Sequence, residues 1–167
     1  MDINWNILSN QIIESNSIVL STHINPDGDG LGSELAMFYY LKSIGKKCRI
    51  INISNHSDKY NFMDKDSNIE VYNPIEHSNW IKNCDCALIF DIGNHSRLGE
   101  ISKILSASTN VKKISIDHHP SDNSFFDFNF LDITAPATGY LVWKYFKFIE
   151  LDLDLKIAEP LYTALIT

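Results

Sequence analysis

Short apolar runs of strand character alternate with helical stretches along this chain, and that alternation restricts its fold more than any other feature. "SIVLS" (Ser17–Ser21) is rich in β-branched residues and ends at polar turn chemistry. "KCRIINI" (Lys47–Ile53), "CALIF" (Cys86–Phe90) and "KKISI" (Lys112–Ile116) read as three further strands. "FFDFNFL" (Phe125–Leu131) alternates and fits an edge strand. Asn6–Glu14 reads as a short amphipathic helix. Leu31–Ile44 carries Leu31, Leu35, Phe38 and Leu41 at helical spacing, with Gly45 as its stop. Glu100–Ser106, Thr138–Phe148 and Leu155–Thr167 also read as helices, and Pro160 is expected to kink or restart the last of them. This order predicts an α/β fold: a parallel, Rossmann-like sheet with helices on both faces. Such sheets bind ligands at the carboxyl ends of their strands. A chain of 167 residues fits one domain with a proper core, or one domain and part of another.

Charge and cysteine content narrow the function. The formal net charge of −7 argues against non-specific binding of long nucleic acid, which needs a basic footprint. A small phosphorylated substrate remains compatible if metal ions supply local positive charge. Three cysteines (Cys48, Cys84, Cys86) with no framework spacing suggest structural thiols in a reducing compartment. The Cys84/Cys86 pair reads as core rather than a zinc site. The opening "MDINWNILSN" is not a signal peptide, and no apolar run is long enough to span a bilayer. The expectation is a soluble cytoplasmic protein with no membrane partner.

Three strand ends carry acidic or histidine-containing turns. The first, "STHINPDGDGLGSE" (Ser21–Glu34), packs His23, Asp27 and Asp29 into seven residues. An EF-hand register starting at Asn25 places Gly30 correctly, but Ala36 stands where a bidentate Glu is required. A solvated Asp/Gly turn is the plain alternative. A metal site explains more: Asp27 and Asp29 point to different sides of an extended turn and can feed two neighbouring ions, with His23 on the first. Oxygen-rich sites with one or two imidazoles suit Mn²⁺ or Mg²⁺. A helix starting near Leu31 would aim its free N–H groups at a phosphate there, with Ser33 as a further donor. The second turn, "FDIGNHSRLG" (Phe90–Gly99), places Asp91 at the sheet rim, where a carboxylate can bridge ions about 3.5–4 Å apart. Arg97 reads either as a phosphate grip or as a surface salt bridge. His95 reads as an exposed loop residue. In the third, "ISIDHHPS" (Ile114–Ser121), one of His118 and His119 can ligate while the other faces substrate; two solvated turn histidines are the alternative.

In this order, H-x-N-P-D-G-D-x-x-G-S, a strand-end Asp with S-R-L-G, and I-D-H-H resemble the DHH phosphoesterase superfamily over essentially the whole chain. "PDGDGLGS", "SRLG", "APATGYLVW" and "LYTALIT" look most like its nanoRNase/pAp-phosphatase branch. The resemblance implies two divalent ions, Mn²⁺ first, with Mg²⁺ or Co²⁺ as alternatives. It puts His23, Asp27 and Asp91 on one ion and Asp29, Asp91 and His118 on the other, with Asp91 bridging. It makes His119 a contact to the scissile phosphate and Asp117 the group that orients the histidine pair. The implied substrates are short RNA oligomers, cut from an end to mononucleotides, and 3′-phosphoadenosine 5′-phosphate (pAp). A homodimer is implied by resemblance alone. The family pattern continues with a fourth-motif Asp after a helix like "YTALIT" and a C-terminal DHHA1 substrate-binding domain. Residues 1–167 are therefore expected to be a catalytic domain truncated just before that Asp. Rival readings are hydrolysis of the cyclic-dinucleotide product pApA, of pyrophosphate or of polyphosphate, and a non-catalytic nucleotide-binding module.

Overall fold

The computed structural model describes residues 3–120 and 124–167. Six strands form one sheet in which every pairing is parallel: β1 (Ser17–Ser21), β2 (Lys47–Asn52), β3 (Ile69–Val71), β4 (Cys86–Phe90), β5 (Lys112–Asp117) and β6 (Phe128–Leu131). Their spatial order is β3-β2-β1-β4-β5-β6. The chain builds outward from β1 to β3, then crosses back to lay β4 beside β1. That reversal leaves a crevice between the carboxyl ends of β1 and β4, where such sheets hold ligands. In register, Leu20 of β1 stands between Ile50 of β2 and Leu88 of β4.

Side chains alternate across the sheet with the period of two that strands impose. Ile18, Leu20, Leu88 and Phe90 face one core with α1 (Trp5–Glu14), α2 (Gly28–Ser43), α5 (Thr138–Phe148) and α6 (Leu155–Ile166). Val19, Ala87 and Ile89 face a second core with α3 (Pro74–Asn83) and α4 (Glu100–Ala107). The central β4 run CALIF is apolar and buried at every position because both its faces are covered. All three cysteines are buried free thiols. Burial pushes the Cys84 thiol up to about 11, as expected of core residues rather than metal ligands. No helix among the described residues is long and apolar enough to cross a membrane.

Several boundaries differ from the sequence reading. The first long helix begins at Gly28, not near Leu31, because Asp27 caps it: its Oδ1 accepts from the Asp29 and Gly30 amides, each at 3.2 Å. The β3 strand and α3 have no counterpart in that reading. Asn73 caps α3 by accepting from the Ile75 amide (2.9 Å), and Pro74 occupies its first turn. The edge strand β6 is shorter than Phe125–Leu131. Ser121 of the third turn lies outside the described residues. Pro160 does not restart α6, which runs as one helix.

The seam between α2 and α6 is unusually close. A Cβ on Gly32 would lie 2.3 Å from the Pro160 carbonyl oxygen, a backbone atom that cannot swing aside. Gly32→Ala gains up to about 1 kcal/mol of helix propensity but forces the helices apart, a change that costs about 1–3 kcal/mol in packed cores. The expected outcome is a net loss of stability, read as a lower urea midpoint at unchanged slope.

Candidate functional site

The crevice is closed at its base by a bond between the two strand ends: the Thr22 hydroxyl donates to the Phe90 carbonyl (2.8 Å). His23, two residues beyond the end of β1, and Asp91, one residue beyond the end of β4, are both almost fully buried. Asp91 has φ 52°, the left-handed region that non-glycine residues rarely enter. Backbone strain at a sheet rim is typical of functional positions.

Two histidines are fixed by main-chain carbonyls. His23 Nδ1 lies 2.8 Å from its neighbour Ile24 O, and His118 Nδ1 lies 3.2 Å from Ala135 O. A carbonyl only accepts, so both Nδ1 atoms carry the hydrogen and both Nε2 atoms are turned toward carboxylates. His23 Nε2 is 3.7 Å from Asp27 Oδ2 and 3.6 Å from Asp91 Oδ2. His118 Nε2 is 3.6 Å from Asp29 Oδ2 and 3.5 Å from Asp91 Oδ1. Asp91 thus turns one oxygen to each histidine. Lone pairs converging at these separations suit ligands that share a cation.

The carboxylates are held from behind. Asp29 accepts from the Thr138 and Gly139 amides at the start of α5, each at 2.8 Å. The Thr138 hydroxyl donates to Asp91 Oδ1 (3.1 Å). Asp117 Oδ2 accepts from the Ile92 and Gly93 amides (3.1 and 2.7 Å), and its Oδ1 holds the His119 amide and Nδ1, each at 3.0 Å. This leaves His119 Nε2 free of that contact. Asp27, Asp29, Asp91, His118 and His119 line a cavity of about 370 Å³ with Pro136, Ala137 and the end of α6 up to Thr167.

The electrostatics show a site short of positive charge. Burial, together with the nearby Asp91 charge, pushes Asp29 up to about 6. Burial opposes the charged form of His23, yet its bonds to Asp27 and Asp91 prevail and raise it to about 10. The His23 imidazolium in turn pulls Asp27 down to about 2. A proton on His23 supplies the charge that a divalent ion would otherwise bring. The donor set of carboxylates and imidazoles therefore fits a hard or borderline cation.

The expected site residues are mostly assembled, with corrections. His23, Asp27 and Asp91 present ligand atoms within 4.8 Å of one another, as the resemblance implies. The second such group is Asp91, His118 and His119. Asp29 accepts one α5 amide on each oxygen, which leaves each a further lone pair, and its Oδ2 faces His118 Nε2 at 3.6 Å. Asp117 orients His119 alone, since His118 is held by Ala135. Asp27 and Asp29 do not flank an extended turn: Asp27 is the α2 cap, and its carboxylate takes the N–H groups expected to face a phosphate. Ser33, expected at the substrate, is fully buried, and its hydroxyl points to Asp29 Oδ1 (3.5 Å) behind the site. Arg97 lies on a 3₁₀ turn (His95–Leu98) after β4, where it reaches the Ile92 carbonyl (3.4 Å) and its charge acts on His23. His95 stacks on Phe125 with ring centroids 4.5 Å apart. The sequence reading missed the roles of Ala135, Thr138 and Gly139. A Thr-Gly pair opening an apolar helix in "APATGYLVW" was the available signal.

Residues 17–165 match the DHH family, N-terminal domain. The chain is 27% identical over 124 residues to the "Bifunctional oligoribonuclease and PAP phosphatase NrnA" of Mycoplasma genitalium, covering 74% of this chain and 37% of that protein. It is 25% identical over 150 residues to the protein of the same name from Thermus thermophilus, covering 90% of this chain and 42% of that one. The crystal structure of an exopolyphosphatase-related protein from Bacteroides fragilis matches with a TM-score of 0.89 at 26% identity, over 95% of this chain and 48% of that one. The chain thus spans less than half the length of each of these relatives.

The raised His23 value has a consequence for the metal-free protein. A histidine whose folded pKa exceeds its unfolded value stabilises the fold fully below the unfolded value, and that contribution is lost as pH rises through the folded one. In EDTA, stability is expected to fall between pH 6.5 and about 10 on account of His23. Urea unfolding across that interval checks it; His23→Gln should flatten the profile there.

Proposed function

The chain belongs to the DHH family, and from that premise we propose that it is a metal-dependent phosphoesterase acting on short oligoribonucleotides and on pAp. The observation that carries this reading is the Asp91 carboxylate, which presents one oxygen to His23 and the other to His118. In this reading His23, Asp27 and Asp91 would hold one divalent ion, and Asp29, Asp91 and His118 would hold the second. The mix of oxygen and imidazole donors favours Mn²⁺, with Mg²⁺ or Co²⁺ as alternatives. Ions held there would supply the positive charge that lowers the pKa of a bound water and offsets charge on the phosphoryl oxygens.

The protein's own residues do the rest. His119, held through Nδ1 by Asp117, directs Nε2 toward the cavity and supports the scissile phosphate. Arg97 adds positive charge at the rim. The α5 amides and Thr138 keep Asp29 and Asp91 from drifting apart under mutual repulsion. The names of the NrnA relatives support nucleotide substrates. A second reading, hydrolysis of phosphoanhydrides, is favoured by the exopolyphosphatase-related structure, which shares the fold.

The test uses the full-length gene product, with Mn²⁺ and with EDTA. The panel is pAp, a 5′-phosphorylated RNA dinucleotide, pApA, pyrophosphate and polyphosphate, with products separated by ion exchange. Release of AMP from pAp and of mononucleotides from RNA is expected with Mn²⁺ only. Asp91→Asn should fold normally yet lower turnover by roughly 100-fold or more, as loss of a central electrostatic group does. Turnover of pyrophosphate or polyphosphate alone would replace this reading with the second. Tight nucleotide binding without product would indicate a binding module.

A further inference from the structure

A carboxyl group lies buried behind the site with no part in the chemistry above. Glu34, on the second turn of α2, is 0% exposed. Burial pushes its carboxyl well above the usual carboxylate range. Its Oε1 accepts from Asn52 Nδ2 at 2.6 Å, and its Oε2 has no hydrogen-bond partner among the described residues. A buried carboxyl with one unmatched oxygen is costly to keep, and Met or Leu would fill the space while leaving only the Asn52 NH₂ without its acceptor. The acid therefore calls for a reason other than packing.

Asn52 supplies one. It is the last residue of β2 and fully buried. Its Oδ1 accepts from the Thr22 amide (3.0 Å) and from the Ser21 hydroxyl (3.3 Å). An asparagine amide can turn over, exchanging its oxygen for its NH₂. If it did so here, an NH₂ donor would face the Thr22 N–H donor. An acceptor on the far side blocks that flip, and Glu34 Oε1 is that acceptor. Thr22 immediately precedes His23 and also clasps Phe90, which immediately precedes Asp91. One chain of bonds thus runs from α2 through β2 to the two strand ends that carry the site.

We infer that Glu34 is a positioning residue for His23: by locking the Asn52 amide it fixes the Thr22 main chain and hence the direction of the imidazole. This inference rests on His23 being a metal ligand, and the test separates the two. The variants are Glu34→Met, which keeps volume and removes the acceptor; Glu34→Gln, which keeps an acceptor oxygen; Asn52→Leu, which removes the tether itself; and His23→Ala. The readouts are Mn²⁺ affinity by electron paramagnetic resonance, and melting temperature and Thr22 amide exchange in the metal-free protein. Glu34→Met is expected to stay folded, to exchange the Thr22 amide faster, and to bind Mn²⁺ about tenfold more weakly, the lower end of what partners behind a metal ligand contribute. Glu34→Gln should restore both affinity and protection, and Asn52→Leu should copy Glu34→Met. Wild-type affinity and exchange in Glu34→Met or in Asn52→Leu would overturn the inference. So would a loss that merely follows a lowered melting temperature and is not rescued by Gln. If His23→Ala binds Mn²⁺ as wild type does, the metal reading fails, and Thr22 exchange alone decides whether the Glu34–Asn52 lock exists.

Discussion

The structure is organised around a concentration of negative charge that the protein alone does not neutralise. Asp27 and Asp29, at the start of α2, share one cavity with Asp91 at the end of β4, and their mutual repulsion favours separation. Local dipoles resist it. Amides of α5 hold Asp29, amides of α2 hold Asp27, and the Thr138 hydroxyl holds Asp91. The helices are placed so that their amino ends, the positive ends of their dipoles, meet at this point. The topology serves the same end, since only the reversal between β1 and β4 brings two strand ends together with room above them.

Much of this was readable from residue order. His23, Asp91, Asp117 and the histidine pair each follow an apolar strand run, and a strand buried on both faces must emerge at the rim where its run stops. What stayed hidden depends on contacts between distant segments or on weak local signals. Thr138 and Asp29 are 109 residues apart, and nothing in either stretch announces the other. The start of α2 was masked by Gly28-Asp29-Gly30, poor helix formers that only the Asp27 cap carries into the helix. Once that turn is helical, Ser33 falls one turn after Asp29 and beneath it, away from any substrate. The α3 helix buries only His77 and Ile81, too little for an amphipathic pattern, and β3 has three residues.

The two histidines of the D-H-H motif illustrate how the same residue type acquires different duties. His118 is gripped by a neutral carbonyl and so keeps its Nε2 for the carboxylates. His119 is gripped by the buried Asp117, whose carboxylate accepts from its Nδ1 and so fixes the ring's orientation. Sequence adjacency says nothing of this division. It follows from Ala135 approaching on one side and the Asp117 carboxylate folding back on the other.

The close seam between α2 and α6 bears on how the site responds to force. Thr167 packs against Gly28, the first residue of α2 and the neighbour of Asp27, and farther along Pro160 and Ala164 pack against Gly32. With no side chains on the glycines to bend, the seam has little compliance. Moving the last turn of α6 toward α2 therefore requires moving the α2 main chain at Gly28, and with it the turn that Asp27 caps.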